Sequence, residues 1–176
     1  MSHLPLADPI TRCDEILSGQ RVDADRINNL DRADAYTPAL FSTGTAPVLG
    51  DTGTREGAWH RQGNLVSGWA RFHFLGAGIV AGTGTYLIAP PWPIDPSLVE
   101  PSGTGAQGHS VGSGWIRDAT VTTANRYVNV MVIERQTGIY FWMQPEDSNT
   151  AVSGTSPWTW ASDDRITISF TYPTTT

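Results

Sequence analysis

From residue 36 to residue 172 the sequence alternates apolar or β-branched residues with polar ones, in short runs interrupted by Gly, Pro, Asn and Asp. Successive side chains of a strand point to opposite faces, so these runs predict β-strands, and the interrupting residues favour turns. The pattern leaves little room for helices after residue 36. We predict about eight strands from it: 36–42, 56–62, 64–75, 83–89, 110–118, 126–134, 138–143 and 165–172.

The segments between these strands favour an antiparallel arrangement. "QGN" at 62–64 and "RQTG" at 135–138 are short enough to join two strands as hairpins. The segment 90–109 is too rich in Pro and Gly for regular structure and is predicted to be a long surface loop. We therefore expect a mainly β fold, an antiparallel jelly-roll-like sandwich of two sheets, with an open barrel as the alternative.

Two of the predicted strands are apolar on both faces. In "RYVNVMVIE" three valines share one face, and the other face carries Tyr127, Met131 and Ile133. The strand "GIYFWM", which contains Tyr140 and Trp142, is also apolar on both sides. A sandwich buries one face of each sheet, so the second face needs a cover. We predict that another copy of the chain covers it; the alternative is the 90–109 loop.

Residues 1–35 follow a different pattern. Capping residues favour two short helices, one at about 9–18 and one from Asp23 to about Ala35. The second helix has too few large apolar residues to be stable alone in water. We predict an attachment arm at 1–35, ahead of a β-domain at 36–176. The arm residues expected to contact other subunits or other proteins are Val22, Ile27 and Leu30.

Composition and charge exclude several classes of function. The net charge of −6 argues against nucleic acid and anionic lipid as partners. All 11 basic residues are arginines, and without a lysine there is no Schiff-base or Walker-type phosphate chemistry. The apolar runs are too short to cross a bilayer, and the N-terminus lacks the pattern of a signal peptide. Cys13, the single cysteine, excludes an internal disulfide.

Two short motifs resemble catalytic or cofactor signatures. "GHSVG" at 108–112 matches the nucleophile elbow of hydrolases, with Ser110 as the nucleophile, but no helix is predicted after it and no histidine follows His109. "GAGIVAG" at 76–82 loosely matches a dinucleotide-binding loop, yet the glycines and prolines after it prevent a crossover helix. We interpret the first as part of a strand and the second as a turn.

The histidines and carboxylates give no clear catalytic set. The three histidines of the β-region lack the spacing of metal ligands, and the pairs Glu146–Asp147 and Asp163–Asp164 are typical of turns. A glycosidase would need two acids across a cleft, an arrangement that the sequence leaves open. We predict that the protein is not an enzyme and has no cofactor or metal.

Seven tryptophans invite a comparison of packing with ligand contact. Trp158 and Trp160 fall on one side of an extended segment and are predicted to close the core. Trp92, between prolines, and Trp142, on a two-faced strand, are better candidates for contact with another molecule. We expect Trp92 to be the residue that stacks on a sugar, if one is bound.

Several segments resemble phage structural proteins. "SGQRVDADRINNL" is similar to a short segment at the front of many tailed-phage structural proteins. "GTYLIAPPWP", "GSGWIRD" and "TSPWTWASDDRITISFTY" resemble β-domains in virion surface proteins of phages that infect actinobacteria. The resemblance implies an N-terminal segment attached to the particle, a displayed β-domain, and assembly as a homotrimer.

We therefore expect a virion structural protein, assembled in the host cytoplasm, with a capsid decoration, head-fibre or minor tail role. Its expected partners are further copies of itself and the major capsid or tail proteins. The alternative is a carbohydrate-binding, receptor-binding module that recognises a host surface glycan during adsorption. The residues expected at attachment or oligomer contacts are Val22, Ile27, Leu30, Tyr127, Met131, Ile133, Tyr140 and Trp142.

Overall fold

The structure, a computed structural model, describes residues 31–99, 108–121, 124–135 and 138–175. These residues contain nine strands: β1 (Asp31–Tyr36), β2 (Leu40–Ser42), β3 (Thr54–Gln62), β4 (Leu65–His73), β5 (Tyr86–Ile88), β6 (Ser110–Arg117), β7 (Asn125–Arg135), β8 (Gly138–Pro145) and β9 (Arg165–Pro173). All nine form one antiparallel sheet that curls into a half-barrel. Their order across the sheet is β1-β3-β4-β9-β6-β7-β8-β5-β2.

The predicted strands are confirmed, since each of the eight predicted segments overlaps an observed strand. In β9 the alternation is clear: four large apolar side chains are buried, and Ser169 and Thr171 between them are exposed. The hairpins predicted at the ends of β3 and β7 join β3 to β4 and β7 to β8. Local side-chain alternation was therefore sufficient to find these strands.

The helix predicted to run to Ala35 is wrong over its last residues, because Asp31–Tyr36 is strand β1. This strand pairs with β3 along its whole length, from Asp31 opposite Gln62 to Tyr36 opposite Gly57. Pairing with a strand distant in sequence outweighs a local helix preference. The rest of both predicted helices lies outside the described residues.

The expected jelly-roll-like sandwich is not confirmed, because the described strands form a single sheet. Loops, rather than a second sheet, cover its inner face. The connections between strands supply apolar side chains that are almost completely buried there: Leu49, Phe74, Ile94, Val99, Val152 and Trp160. The molecule therefore encloses its core between one curled sheet and its own loops.

The long loop contributes to the cover of the inner face. Its described part carries Ile94 and Val99 into the core, with a short 3-10 turn at Pro96–Leu98. The Asp95 N–H donates to the Pro173 carbonyl at 3.0 Å, which ties the loop to the end of β9. This part of the chain is therefore not the cover that the two-faced strands require.

Candidate functional site on the outer face of the sheet

Opposite to the core, the outer face of the sheet presents side chains from most strands. In β7 the valines at 128, 130 and 132 point inward and are 2%, 0% and 0% exposed. The intervening residues point outward, as the sequence predicts. Cross-strand register then places Met131 opposite Trp142, Trp142 opposite Leu87, and Leu87 opposite Phe41.

This register forms one apolar region, which we call the outer patch. It consists of Phe41, Leu87, Met131, Ile133, Tyr140 and Trp142. Phe41 is 43% exposed, and its ring contacts the edge of Tyr140 with centroids 6.0 Å apart. Ile133 and Leu87 are already buried, whereas Met131 and Trp142 are half-buried. The chain thus shelters part of the patch and leaves the rest open.

Four of the predicted contact residues meet in the outer patch: Met131, Ile133, Tyr140 and Trp142. Tyr127 does not join them. It comes before Met131 in β7, lies opposite Trp115, and is 69% exposed. The predicted contacts of the arm, at positions 22, 27 and 30, lie outside the described residues. All eight therefore remain predictions as contacts.

Trp92, the predicted sugar contact, lies at the rim of the core. Its ring packs against Trp59 with centroids 5.5 Å apart, and the Arg61 guanidinium lies 5.1 Å from its centroid. The Tyr172 hydroxyl accepts a hydrogen bond from the Trp92 N–H at 3.3 Å and donates one to its carbonyl at 2.8 Å. Burial raises the pKa of Tyr172, which keeps this hydroxyl protonated. Trp92 is held firmly, and sugar stacking there remains a prediction.

A second cluster on the outer face combines aromatic rings with arginines. We call it the aromatic–arginine cleft; it is lined by Trp115, Arg117, Asn125, Arg126 and Tyr127. Its volume is about 390 Å3, within the range of about 300–1,000 Å3 that is common for small-molecule sites. Cross-strand pairing creates it, because Trp115 lies opposite Tyr127 and Arg117 opposite Asn125. Of these five residues, only Tyr127 was predicted from the sequence to contact another molecule.

Of the two arginines that line this cleft, one has an ion-pair partner among the described residues and the other has none. Arg126 donates to the carboxylate of Asp147. Arg117 forms no ion pair with any carboxylate among the described residues. It lies directly opposite Arg165 of β9. Arg165 has a buried Nε that finds no hydrogen-bond partner among the described residues. Two unpaired cations thus adjoin on this part of the outer face.

The two motifs that resemble catalytic or cofactor signatures lie in an ordinary strand and an ordinary loop. Ser110 begins β6, and its hydroxyl donates to Asn129 Oδ1 at 2.5 Å. Gly76 and Gly82 adopt positive φ angles of 85° and 70° in the loop that connects β4 to β5, and Val80 of this loop forms an isolated β-bridge with Val48. His73 Nε2 lies 3.2 Å from Asp163 Oδ1.

The described part of the chain also bears on metal binding and on membrane crossing. No group of three His, Cys, Asp or Glu side chains in these ranges could hold a metal ion. None of the described segments forms a helix long and apolar enough to cross a membrane.

Comparisons with known proteins give one weak structural likeness. No family model and no curated protein matches the chain. Among solved structures it is similar to the crystal structure of the Dettilon tailspike protein (gp208), with a TM-score of 0.45 and 14% sequence identity. The likeness covers 81% of this chain and 24% of that one, so the chain spans about a quarter of that protein's length. A likeness of this size identifies neither a family nor a function.

Proposed function

We propose that this protein is a phage virion structural protein, displayed on the particle surface in a capsid decoration, head-fibre or minor tail role. The sequence resemblance of its N-terminal segment and of its β-region to phage structural proteins supports the proposal. In this role residues 1–30, ahead of strand β1, attach the chain to a major capsid or tail protein. The sheet faces outward and carries the contacts between copies.

One structural observation carries the proposal: the sheet is closed on one face by its own loops and open on the other. The core valines of β7 and the rings of Phe141 and Phe170 are buried within a single chain. On the outer face Phe41 is 43% exposed, and Met131 and Trp142 are half-buried. Apolar side chains grouped on an open face are typical of surfaces that another protein covers.

We assign that cover to further copies of the same chain, arranged as a trimer. Trp142 supports a protein contact at the outer patch, because its own chain leaves it only half-buried and tryptophan rings are common at contacts between proteins. The three-fold arrangement itself follows from the family resemblance.

Purified particles of the phage that encodes this sequence provide the direct test. We expect quantitative mass spectrometry of gradient-purified particles to detect the chain at a constant ratio to the major capsid protein. Many copies per particle would indicate decoration or head fibres, and a few copies would indicate the tail. Absence of the chain from infectious particles would refute the virion role.

The control is a non-structural protein of the same phage, which must be lost at the same purification step. Washing the particles with high salt then separates a bound component from an adsorbed one. A chain that washes off together with the control would count against a structural role.

A further inference from the structure

We propose that the aromatic–arginine cleft is a binding site for an anionic saccharide, one whose sugar units carry carboxylate or phosphate groups. This inference does not depend on the virion role, because the isolated chain can be tested for binding. It assigns the ligand contact to Trp115, Arg117 and Tyr127. It does not use Trp92.

The aromatic part of the cleft is suited to the apolar face of a sugar ring. Trp115 is half-buried, which fixes its position, and Tyr127 is 69% exposed directly across from it. Neither ring packs against another aromatic ring of the described chain. Rings that are at least partly exposed and not stacked on another ring are available for stacking on a sugar, and their amphipathic character suits a ligand that is partly apolar and partly hydroxylated.

The charged part of the cleft indicates an anionic ligand. Like charges directly opposite each other destabilise a sheet, and neither Arg117 nor Arg165 forms an ion pair among the described residues. A carboxylate or a phosphate can bind a guanidinium through two parallel hydrogen bonds, and this would compensate the repulsion. Arg126, already bound to Asp147, would then position its neighbours more than it would bind the ligand.

The polar part supplies hydrogen bonds for hydroxyl groups. Asn125 lines the cleft opposite Arg117, and its side-chain amide makes no hydrogen bond with the described residues. An amide offers both a donor and an acceptor, which matches a sugar hydroxyl in either role. An aromatic platform, an amide and an unpaired guanidinium are therefore present within one cavity of about 390 Å3.

A single-stranded nucleic acid would also combine stacking with negative charge. The net charge of −6 makes the chain a poor partner for a long polyanion. The cleft also offers one pair of aromatic residues, and not the row of platforms along which successive bases stack. A short anionic saccharide fits both the size of the cavity and the local placement of the charge.

Calorimetric titration of the full chain at low salt tests the proposal with four probes. These are a galacturonic acid tetramer, a neutral galactose tetramer of the same linkage, a galactose tetramer that carries one phosphate on each sugar unit, and a thymidine oligonucleotide of equal charge. We expect at least one of the two anionic non-nucleotide probes to bind about tenfold more tightly than the neutral tetramer. The preferred probe tells whether carboxylate or phosphate is the recognised group.

Matched variants locate the binding. Arg117→Gln should weaken it by about tenfold or more, whereas Arg55→Gln, which removes an exposed charge outside the cleft, should not. Trp115→Ala should abolish the ligand-dependent change in tryptophan fluorescence. Trp69→Ala removes a tryptophan of the same face that is 39% exposed, and it should preserve that change.

Any of the following results would overturn the assignment: no binding of either anionic probe at millimolar concentration, equal affinity for charged and neutral tetramers, or wild-type affinity in Arg117→Gln. Tighter binding of the oligonucleotide than of both anionic oligomers would also overturn it. Thermal unfolding of each variant shows whether a loss of binding comes from a loss of folding. Particle content is measured independently, so failure here leaves the virion role to its own test.

Discussion

At the scale of single residues, Asp164 explains how two loops are held at one end of the sheet. Its side chain is completely buried, and its two oxygens accept the backbone N–H groups of Ala119 and Ala161, each at 2.8 Å. Burial raises the pKa of this carboxyl; the two N–H groups oppose the rise, and the charge of Asp118 adds to it. The turn role predicted for the Asp163–Asp164 pair is confirmed, and Asp163 adopts a positive φ of 71°.

Substitution of Asp164 by Asn should destabilise the protein, most strongly at acid pH. The NH2 group of the amide would face one of the two buried N–H groups donor to donor, at a cost of about 1–3 kcal/mol, whereas the hydroxyl oxygen of a protonated carboxyl can still accept a hydrogen bond. A carboxyl whose folded pKa is raised stabilises the native state most when it is protonated. This contribution falls as the pH rises from the ordinary aspartate value of about 4 through the raised one.

Urea unfolding of the wild type and of Asp164→Asn between about pH 3 and pH 7 measures this difference in the free energy of unfolding. This range extends about one unit below and about three units above the ordinary pKa of aspartate. The stability advantage of the wild type should shrink with rising pH. Asp95→Asn is a useful control, because Asp95 is an exposed carboxyl whose pKa is lowered by its bond to the Ser97 N–H. An advantage that grows with pH for Asp164 would contradict the burial argument.

At the scale of the strands, two glycines allow a large ring to lie flat at the centre of the sheet. Phe170 of β9 lies opposite Gly68 of β4 on one side and Gly112 of β6 on the other. A Cβ at Gly68 would lie 2.5 Å from the Ala58 carbonyl oxygen and 2.8 Å from the Phe170 ring. The ring, 3% exposed, therefore occupies space that a side chain on β4 would need.

Replacement of Gly68 by Ala should lower the free energy of unfolding by about 1–3 kcal/mol, because the added methyl group overpacks this region against backbone that cannot move freely. Gly63→Asn is the matched control. Gly63 has a φ of 61° and open space around it, and asparagine tolerates this conformation. Denaturant unfolding measures both, and equal stability of the two variants would refute the packing argument.

Strand β1 shows where a local pattern fails to predict an element. The sequence before Tyr36 contains a capping aspartate and two spaced apolar residues, which favour a helix locally. The observed strand depends on backbone hydrogen bonds to β3, about 25 residues further along the chain. No property of residues 31–36 alone distinguishes the two outcomes.

At the scale of the whole molecule, the two faces of the sheet differ in how far the chain itself covers them. Val128 and Phe141 are concealed by the chain itself, but Met131 and Trp142 on the outer face are not. The sheet therefore carries apolar side chains on both faces, as the sequence predicts. Loops cover the inner face, where a second sheet was expected. Association through the outer patch would bury what remains.

Phe41→Glu should convert the proposed trimer into monomers at micromolar concentration. Burying an unpaired carboxylate costs at least about 3 kcal/mol, which weakens association by a factor of about 100. Leu65→Glu is the control, because Leu65 is 44% exposed on the same face, against 43% for Phe41, and lies outside the patch. Sedimentation velocity measures the species present, and thermal unfolding confirms that each variant is folded.

Wild-type chain that sediments only as a monomer would refute self-association. A trimer that survives Phe41→Glu would place the contact elsewhere than in the outer patch. A chain that begins at Asp31 keeps every described strand. If it remains trimeric, residues 1–30 are not required for association.

The sequence alone determined which segments after β1 form strands, where the hairpins after β3 and β7 lie, and that β7 and β8 carry apolar side chains on both faces. These properties depend on alternation between neighbouring residues, which the local backbone converts directly into faces. It also determined the sign of the net charge and the absence of lysine.

Only the tertiary structure decided that one sheet with loops replaces the expected sandwich, that β1 is a strand, and that Trp115, Arg117 and Tyr127 share a cleft. Residues 115 and 127 meet because β6 and β7 pair in one particular register. A shift of one residue would send one of them to the other face. Register depends on the packing of the whole core, and this is why no local pattern in the sequence could reveal the cleft.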